Sequence, residues 1–228
     1  MSLTLSEIEY IFREIVGDDE DGNGNDYRWS QKIVRHYANL VVNDICRQAK
    51  VLTDGSLTVN IVAGTKDYLL NQRVIDIENE GVRLATLGVA LIKKSYLDFD
   101  EENFSWETDS GEPKSFCLDY RAGYLTIDCL PVANDTASLR AILLPERAMS
   151  ASDDVPEIPP GYHDFIPEMM AYHAYKKQDS QSCDPQAAMK FYGIGYDRKN
   201  PESYMNQIIN MERAKRPLRR PAGNGGFF

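Results

Sequence analysis

The hydrophobic period changes twice along these 228 residues, from the helical 3.6 to the strand value of 2 near Leu57, and back after Pro160. A chain with helix-period segments at both ends and strand-period segments between them belongs to the α+β class. At the start, Ile8, Ile11, Phe12, Ile15 and Val16 follow three- and four-residue spacing, with Ser6 as the expected N-cap and Gly17 as the stop. Residues 18–26 are acidic and glycine-rich and read as a loop. A second helix is expected from about Ser30 to Lys50, with the apolar stripe Ile33, Tyr37, Leu40, Val41 and Ile45. At 1.5 Å per residue it is on the order of 30 Å long.

In the middle, Leu57, Val59 and Ile61 alternate with polar residues. Further strands are expected at 67–70, 74–78, 81–85, 89–93, 116–120, 124–129 and 138–144. Glu80-Gly81 and Arg121-Ala122-Gly123 read as hairpin turns, and residues 95–102 as one helical turn before Trp106. Short strands with regular turns predict a small antiparallel sandwich or barrel-like module of about 90 residues. Pro156, Pro159 and Pro160 then exclude helix. A helix is expected at 162–178, with Pro167 in its first turns and Phe165, Met169 and Tyr172 on its face. Asp184 followed by Pro185 opens the last helix, which Gly193, Gly195 and Pro201 bend or break before it resumes through Tyr204, Ile208 and Met211. The expected organisation is a helical bundle domain in two parts, 1–55 and 151–212. A small antiparallel β domain is inserted at 56–150, and an extended basic C-terminal tail follows at 213–228.

Charge narrows the function classes. Asp and Glu number 35 against 25 Lys and Arg, a net of −10. The last sixteen residues hold Arg213, Lys215, Arg216, Arg219 and Arg220 and no acid, so the body carries −15 and the tail +5. Such a body repels duplex DNA at moderate salt. The tail's Pro and Gly do not pack by themselves, and Phe227-Phe228 suits a groove on a partner. No apolar run approaches the roughly 20 residues needed to span a bilayer. The opening Met1–Glu7 stretch has no basic or apolar signal-peptide region, so the expectation is an intracellular product or one released by lysis.

No constellation for catalysis is visible. There is no nucleotide loop, no GxSxG elbow and no Cys or Ser with a recognisable His partner. Asp19-Glu20-Asp21-Gly22-Asn23-Gly24 matches the first half of a calcium loop, but position twelve is Ser30 where a bidentate Glu is required, so an acidic solvated loop is expected. Cys46, Cys117, Cys129 and Cys183 lack zinc spacing and read as reduced, mostly buried thiols; Cys117 and Cys129 could face each other across a hairpin. His36, His163 and His173 form no metal pair and read as packing or surface residues. No enzymatic activity, metal or cofactor is expected. Among the aromatics near turns, Tyr27, Trp29, Phe99, Phe104, Trp106 and Tyr162 are either core or interface residues.

A set of short motifs occurs in a suggestive order. Tyr27-Arg28-Trp29-Ser30 opens the long helix. Trp106 precedes Gly111-Glu112-Pro113, Leu125-Thr126-Ile127 leads to Leu130-Pro131, and Leu144-Pro145 follows a strand. Val155-Pro156-Glu157-Ile158-Pro159-Pro160-Gly161-Tyr162-His163-Asp164-Phe165-Ile166 enters a helix. This order resembles the head-to-tail adaptor (connector, or tail tubular A-type) proteins of short-tailed bacteriophages, over about residues 5–212. The resemblance implies a structural virion protein of the tail or neck, assembled in the host bacterial cytoplasm. It implies a dodecameric ring of copies between the portal and the tail nozzle or hub, with DNA passing through unread. It also implies that the C-terminal segment docks on the portal, which here makes Arg213, Lys215, Arg216, Arg219, Arg220, Phe227 and Phe228 the portal-binding residues. The acidic loop at 18–26 departs from the family pattern. A rival reading is a tail-associated binding module for host-surface carbohydrate or protein, using the β module and its aromatics.

Overall fold

The computed structural model describes residues 2–18, 27–177 and 183–215. It is a mixed α+β structure with six α-helices among the described residues. Two compact units emerge, one from Met1–Ala49 and Met149–Phe228, the other from Lys50–Ala148.

In the first unit, α1 spans Leu5–Val16, α2 Gln31–Ala49, α4 Ile166–Lys176, α5 Pro185–Gly195 and α6 Tyr204–Lys215. Helix α1 is capped by Thr4 rather than by Ser6. The Thr4 hydroxyl accepts from the Glu7 amide, and the Glu7 carboxylate accepts from the Thr4 amide at 2.7 Å. Ser6 lies one turn position too late because Leu5 is already buried on the helix face. Gly17, at φ 63°, ends α1 in the left-handed conformation that glycine tolerates. Asp18 is buried, not part of a solvated loop. It is paired with Arg13, and its Oδ1 accepts from the Arg28 amide at 2.6 Å.

Helix α4 is the centre of this unit and packs against α1, α2 and α5. It is buried on most sides through Ile166, Pro167, Met169, Met170, Ala171 and Ala174, as a central helix must be. The expected single helix from Tyr162 is instead a 3₁₀ turn at Pro160–Phe165 followed by α4. Pro167 lacks an N–H and fits only the first turn, so the α-helix starts beside it. Asp184 caps α5 through the amides of Gln186 and Ala187, with Pro185 in the first turn as expected. Gly193 does not break α5, which runs on to Gly195. A Cβ at Gly195 would lie 3.1 Å from Met169 Cγ, so the glycine allows α5 to approach α4 closely.

The second unit holds β1 (Thr53–Ile61), β2 (Asp67–Leu69), β3 (Val74–Leu84), β4 (Ala90–Lys93), α3 (Tyr96–Glu102), β5 (Ser110–Gly111), β6 (Ser115–Cys117), β7 (Tyr124–Ile127), β8 (Leu130–Pro131) and β9 (Asp135–Leu143). Seven strands form one sheet in the order β1-β9-β3-β4-β6-β7-β2. All seven strands feed a single apolar cluster that runs from Ile61 on one edge strand to Tyr68 on the other, so the sheet curls over its own face. The module is not purely antiparallel. β4 and β6 are parallel, because α3 carries the chain across between them, and β5 and β8 form a short parallel pair.

Glu80-Gly81 is not a hairpin turn either. It lies inside β3, where five residue steps from Ile77 to Val82 oppose two on β9, from Ala141 to Leu139. Glu80 at φ 55° absorbs this bulge. A Cβ at Gly81 would meet the Glu78 carbonyl oxygen at 2.6 Å. The turn at Arg121-Ala122-Gly123 is real, with Gly123 at φ 79° between β6 and β7. Strand β6 stops at Cys117, short of the expected Tyr120. Ser95 caps α3 with Asp98 completing the box.

Candidate docking surfaces

The candidate docking residues that the sequence singles out lie at the end of α6 and beyond it. Met205, Ile208 and Ile209 bury one face of α6. Phe165 stacks on Tyr204 with ring centroids 4.6 Å apart, and the Tyr204 hydroxyl donates to Glu168 Oε2 at 2.8 Å. Burial, then the Glu168 carboxylate, pushes the Tyr204 phenol up to about 12. Helix α6 continues to Lys215, so Arg213 and Lys215 are helical and do not belong to an extended tail beginning at 213. Lys215 is engaged. Its ammonium donates to Glu212 Oε1 at 2.7 Å and to the Tyr162 hydroxyl at 3.0 Å, and lies over the Tyr162 ring. Those hydrogen bonds, Glu212 first, raise the Lys215 pKa. The chain therefore leaves α6 from a point anchored to the 3₁₀ turn. Arg216, Arg219, Arg220, Phe227 and Phe228 lie outside the described residues, as does the half calcium loop at 19–24.

Of the three histidines, His163 and His173 serve packing and His36 is exposed. His163 is fully buried; its Nδ1 accepts from the Leu3 amide at 3.0 Å, which leaves Nε2–H to donate to the Ile158 carbonyl at 3.0 Å. One ring thus ties the segment before α1 to the segment before α4. His173 Nε2 lies 2.9 Å from the Tyr196 hydroxyl, which donates to Asp44 Oδ2 at 3.3 Å, linking α2, α4 and the end of α5. Burial and Asp44 together raise the Tyr196 phenol far above its ordinary range. Beside this network, between α4 and α5, an apolar cavity of about 410 Å³ is lined by Tyr172, Tyr175, Lys176, Ala188, Met189 and Tyr192.

In the β unit, Lys66 lies over Trp106 at 4.5 Å and over Tyr120 at 5.1 Å, and its ammonium pairs with Glu107 at 3.1 Å. The Tyr120 hydroxyl donates to Glu107 Oε1 at 2.8 Å. This closed set fastens the 103–109 loop onto the sheet. Of the six aromatics singled out near turns, Trp29, Phe99, Trp106 and Tyr162 are core, whereas Phe104 is 90% exposed and Tyr27 is partly exposed. Cys117 and Cys129 are both free thiols and are not paired across the hairpin; Cys117 faces Thr126 in the register. Burial pushes their thiols up to about 12 and about 11.

These features define a class: an α+β protein whose buried polar groups fasten distant segments together. The chain belongs to the SU10 adaptor protein family, whose model matches residues 4–221. This agrees with the resemblance to phage head-to-tail adaptors carried by the motif order, and it places the chain among structural proteins of the phage virion. Among curated proteins, none matches the chain. No helix among the described residues is long and apolar enough to cross a membrane.

Proposed function

We propose that twelve copies of this chain form a ring in the phage neck, between the portal and the tail nozzle or hub, and line the channel through which DNA leaves. The family match over nearly the whole chain carries this reading. The ring is assembled in the bacterial cytoplasm, with the helical parts acting as one bundle and Lys50–Ala148 as the inserted β domain. The chemistry supports it in two ways. An acidic body facing the channel lets DNA slide with little adhesion, since adhesion requires lysines and arginines that release counterions. The basic segment after Lys215 docks on the portal, and twelve weak contacts add into a stable joint.

Truncation after Lys215 tests the docking role without disturbing the Tyr162–Glu212–Lys215 anchor. The truncated chain keeps its circular dichroism and loses portal binding by at least about 100-fold under multivalent conditions. A truncated chain that still docks normally removes the segment from the interface.

A further inference from the structure

The seven-stranded sheet has two edges, β1 and β2. The hydrogen bonds of their neighbours fix which backbone groups each edge leaves open. The Thr136 carbonyl on β9 accepts from the Ala85 amide at 2.9 Å, on the β3 side. Backbone direction alternates along a strand, so Ala137 and Leu139 face β1, and their register partners Val59 and Leu57 face β9. Thr58 and Asn60 therefore direct their N–H and C=O groups off the edge. On β2, the Lys66 carbonyl accepts from the Ile127 amide at 3.0 Å, and the Leu70 amide donates to the Gly123 carbonyl at 2.9 Å. By the same alternation Tyr68 faces β7, while Asp67 and Leu69 face outward. Among the described residues, no hydrogen bond takes up the outward backbone groups of these four residues.

Open edges are normally guarded by lysines, prolines, bulges or a covering element. From Leu57 to Thr65, β1 and its exit carry no charge and no proline, although 26% of the protein is charged. The only register shift in the β1 ladder lies before Leu57. Thr58 and Asn60 are exposed, and Leu57 and Val59 lie only partly buried against the apolar cluster. Strand β2 is short, and its Leu69 is 70% exposed.

We propose that β1 of one copy pairs with β2 of the next, so that the sheets join edge to edge around the ring. The inference rests on the adaptor reading and deepens it by naming the contact between copies. Two observations select a second copy as the occupant. Every copy carries one β1 edge and one β2 edge, and these are different surfaces. Pairing one with the other is a head-to-tail contact, the kind that closes into a ring and leaves no edge open. A different protein seated on β1 would leave β2 open on every copy. The second observation is charge. Each copy carries a net −10, so copies meet with least repulsion where the chain is uncharged, as it is over residues 55–65 and 68–72. The β2 edge offers only two outward residues, so the contact holds when the ring repeats it and not between two free chains.

The test is native mass spectrometry of the full chain on the portal ring of the same phage genome, each variant being checked by circular dichroism. Thr58→Pro deletes an outward N–H of β1 and keeps the ladder to β9, and Leu69→Pro does the same on β2. Thr58→Asp and Leu69→Asp, which add charge and keep every amide, stand in for a proline variant that does not fold. The parent chain is expected to join the portal all-or-none, as twelve copies. Each variant alone adds copies singly and binds at least tenfold more weakly. A 1:1 mixture of the Thr58→Pro and Leu69→Pro chains adds copies in twos, because the first keeps an intact β2 edge and the second an intact β1 edge. Variants that still add twelve copies all-or-none overturn the edge contact and leave the adaptor reading standing. So do variants that associate with one another as the parent does but no longer bind the portal, which would make the edges a portal surface. Leu69→Pro chains that add in twos by themselves replace the proposed contact with a β1–β1 pair and overturn it. A parent chain that stays monomeric beside the intact portal overturns the adaptor reading and the edge contact with it.

Discussion

The two units are held together in different ways. In the helical unit, residues more than 100 positions apart are joined by side chains that reach backbone groups. His163 holds Leu3, Asn39 accepts from and donates to Met149 at 2.8 and 2.9 Å, and Arg35 bonds the Ser150 carbonyl while pairing with Glu9. In the β unit the joints are strand ladders over one apolar cluster, and the long-range pairing of β1 with β9 is made by backbone. The first kind of joint depends on single polar residues. The second spreads its energy over many contacts, and fails first where a large side chain is removed from the cluster.

The largest expected effect is therefore in the β cluster. Phe116→Ala leaves a cavity under the curled sheet and costs about 3–5 kcal/mol. Amide exchange then accelerates across 53–143 and much less in α1, α2 and α4; equal acceleration everywhere would mean that the units unfold as one.

Next comes the helical joint. His163→Ala strands the Leu3 amide and the Ile158 carbonyl, both buried partners of the ring, and costs about 2–5 kcal/mol in urea unfolding. Its exchange signature is the mirror image, confined to α1 and residues 150–165. A cost below about 1 kcal/mol would show that the polar stitch is dispensable.

Gly81→Ala probes the bulge in β3. The new Cβ must displace the Glu78 carbonyl oxygen, so about 1–3 kcal/mol is expected, with the β signature. A neutral outcome would mean that the bulge yields freely.

A smaller effect is electrostatic. Burial alone would raise the Asp76 carboxyl, but the ammonium groups of Lys50, at 2.6 Å, and Lys93 outweigh it and hold the pKa below the ordinary value. A carboxyl depressed in the folded state stabilises above its unfolded pKa near 4, and that stability is lost as pH falls through the folded value. Asp76→Asn should remove this part of the acid dependence below pH about 4. With both lysines about a third exposed, screening limits it to about 1 kcal/mol. An unchanged acid limb would assign the loss to other groups. The least perturbing probe is alkylation at pH 8, where exposed Cys183 reacts in the folded protein and buried Cys46, Cys117 and Cys129 react only on unfolding.

What could be read from the sequence follows the same division. Helix faces, the Asp184-Pro185 start and the Gly123 turn are local, and their signals sit within a few residues of their effects. The joints are not local. Nothing near His163 announces Leu3 as its partner, and the parallel β4–β6 pairing depends on where α3 lands. Glu80-Gly81 reads equally as a turn or a bulge, because both use the same residue chemistry, a left-handed residue beside a glycine. Arg213 and Lys215 read as tail by charge, whereas Ile208, Ile209 and the Tyr162–Glu212 contact carry α6 through to Lys215.

The most direct test of the central claim is native mass spectrometry of this chain mixed with the portal ring of the same phage genome. The account predicts twelve copies added to each portal ring. A chain that stays monomeric in the presence of the intact portal contradicts it.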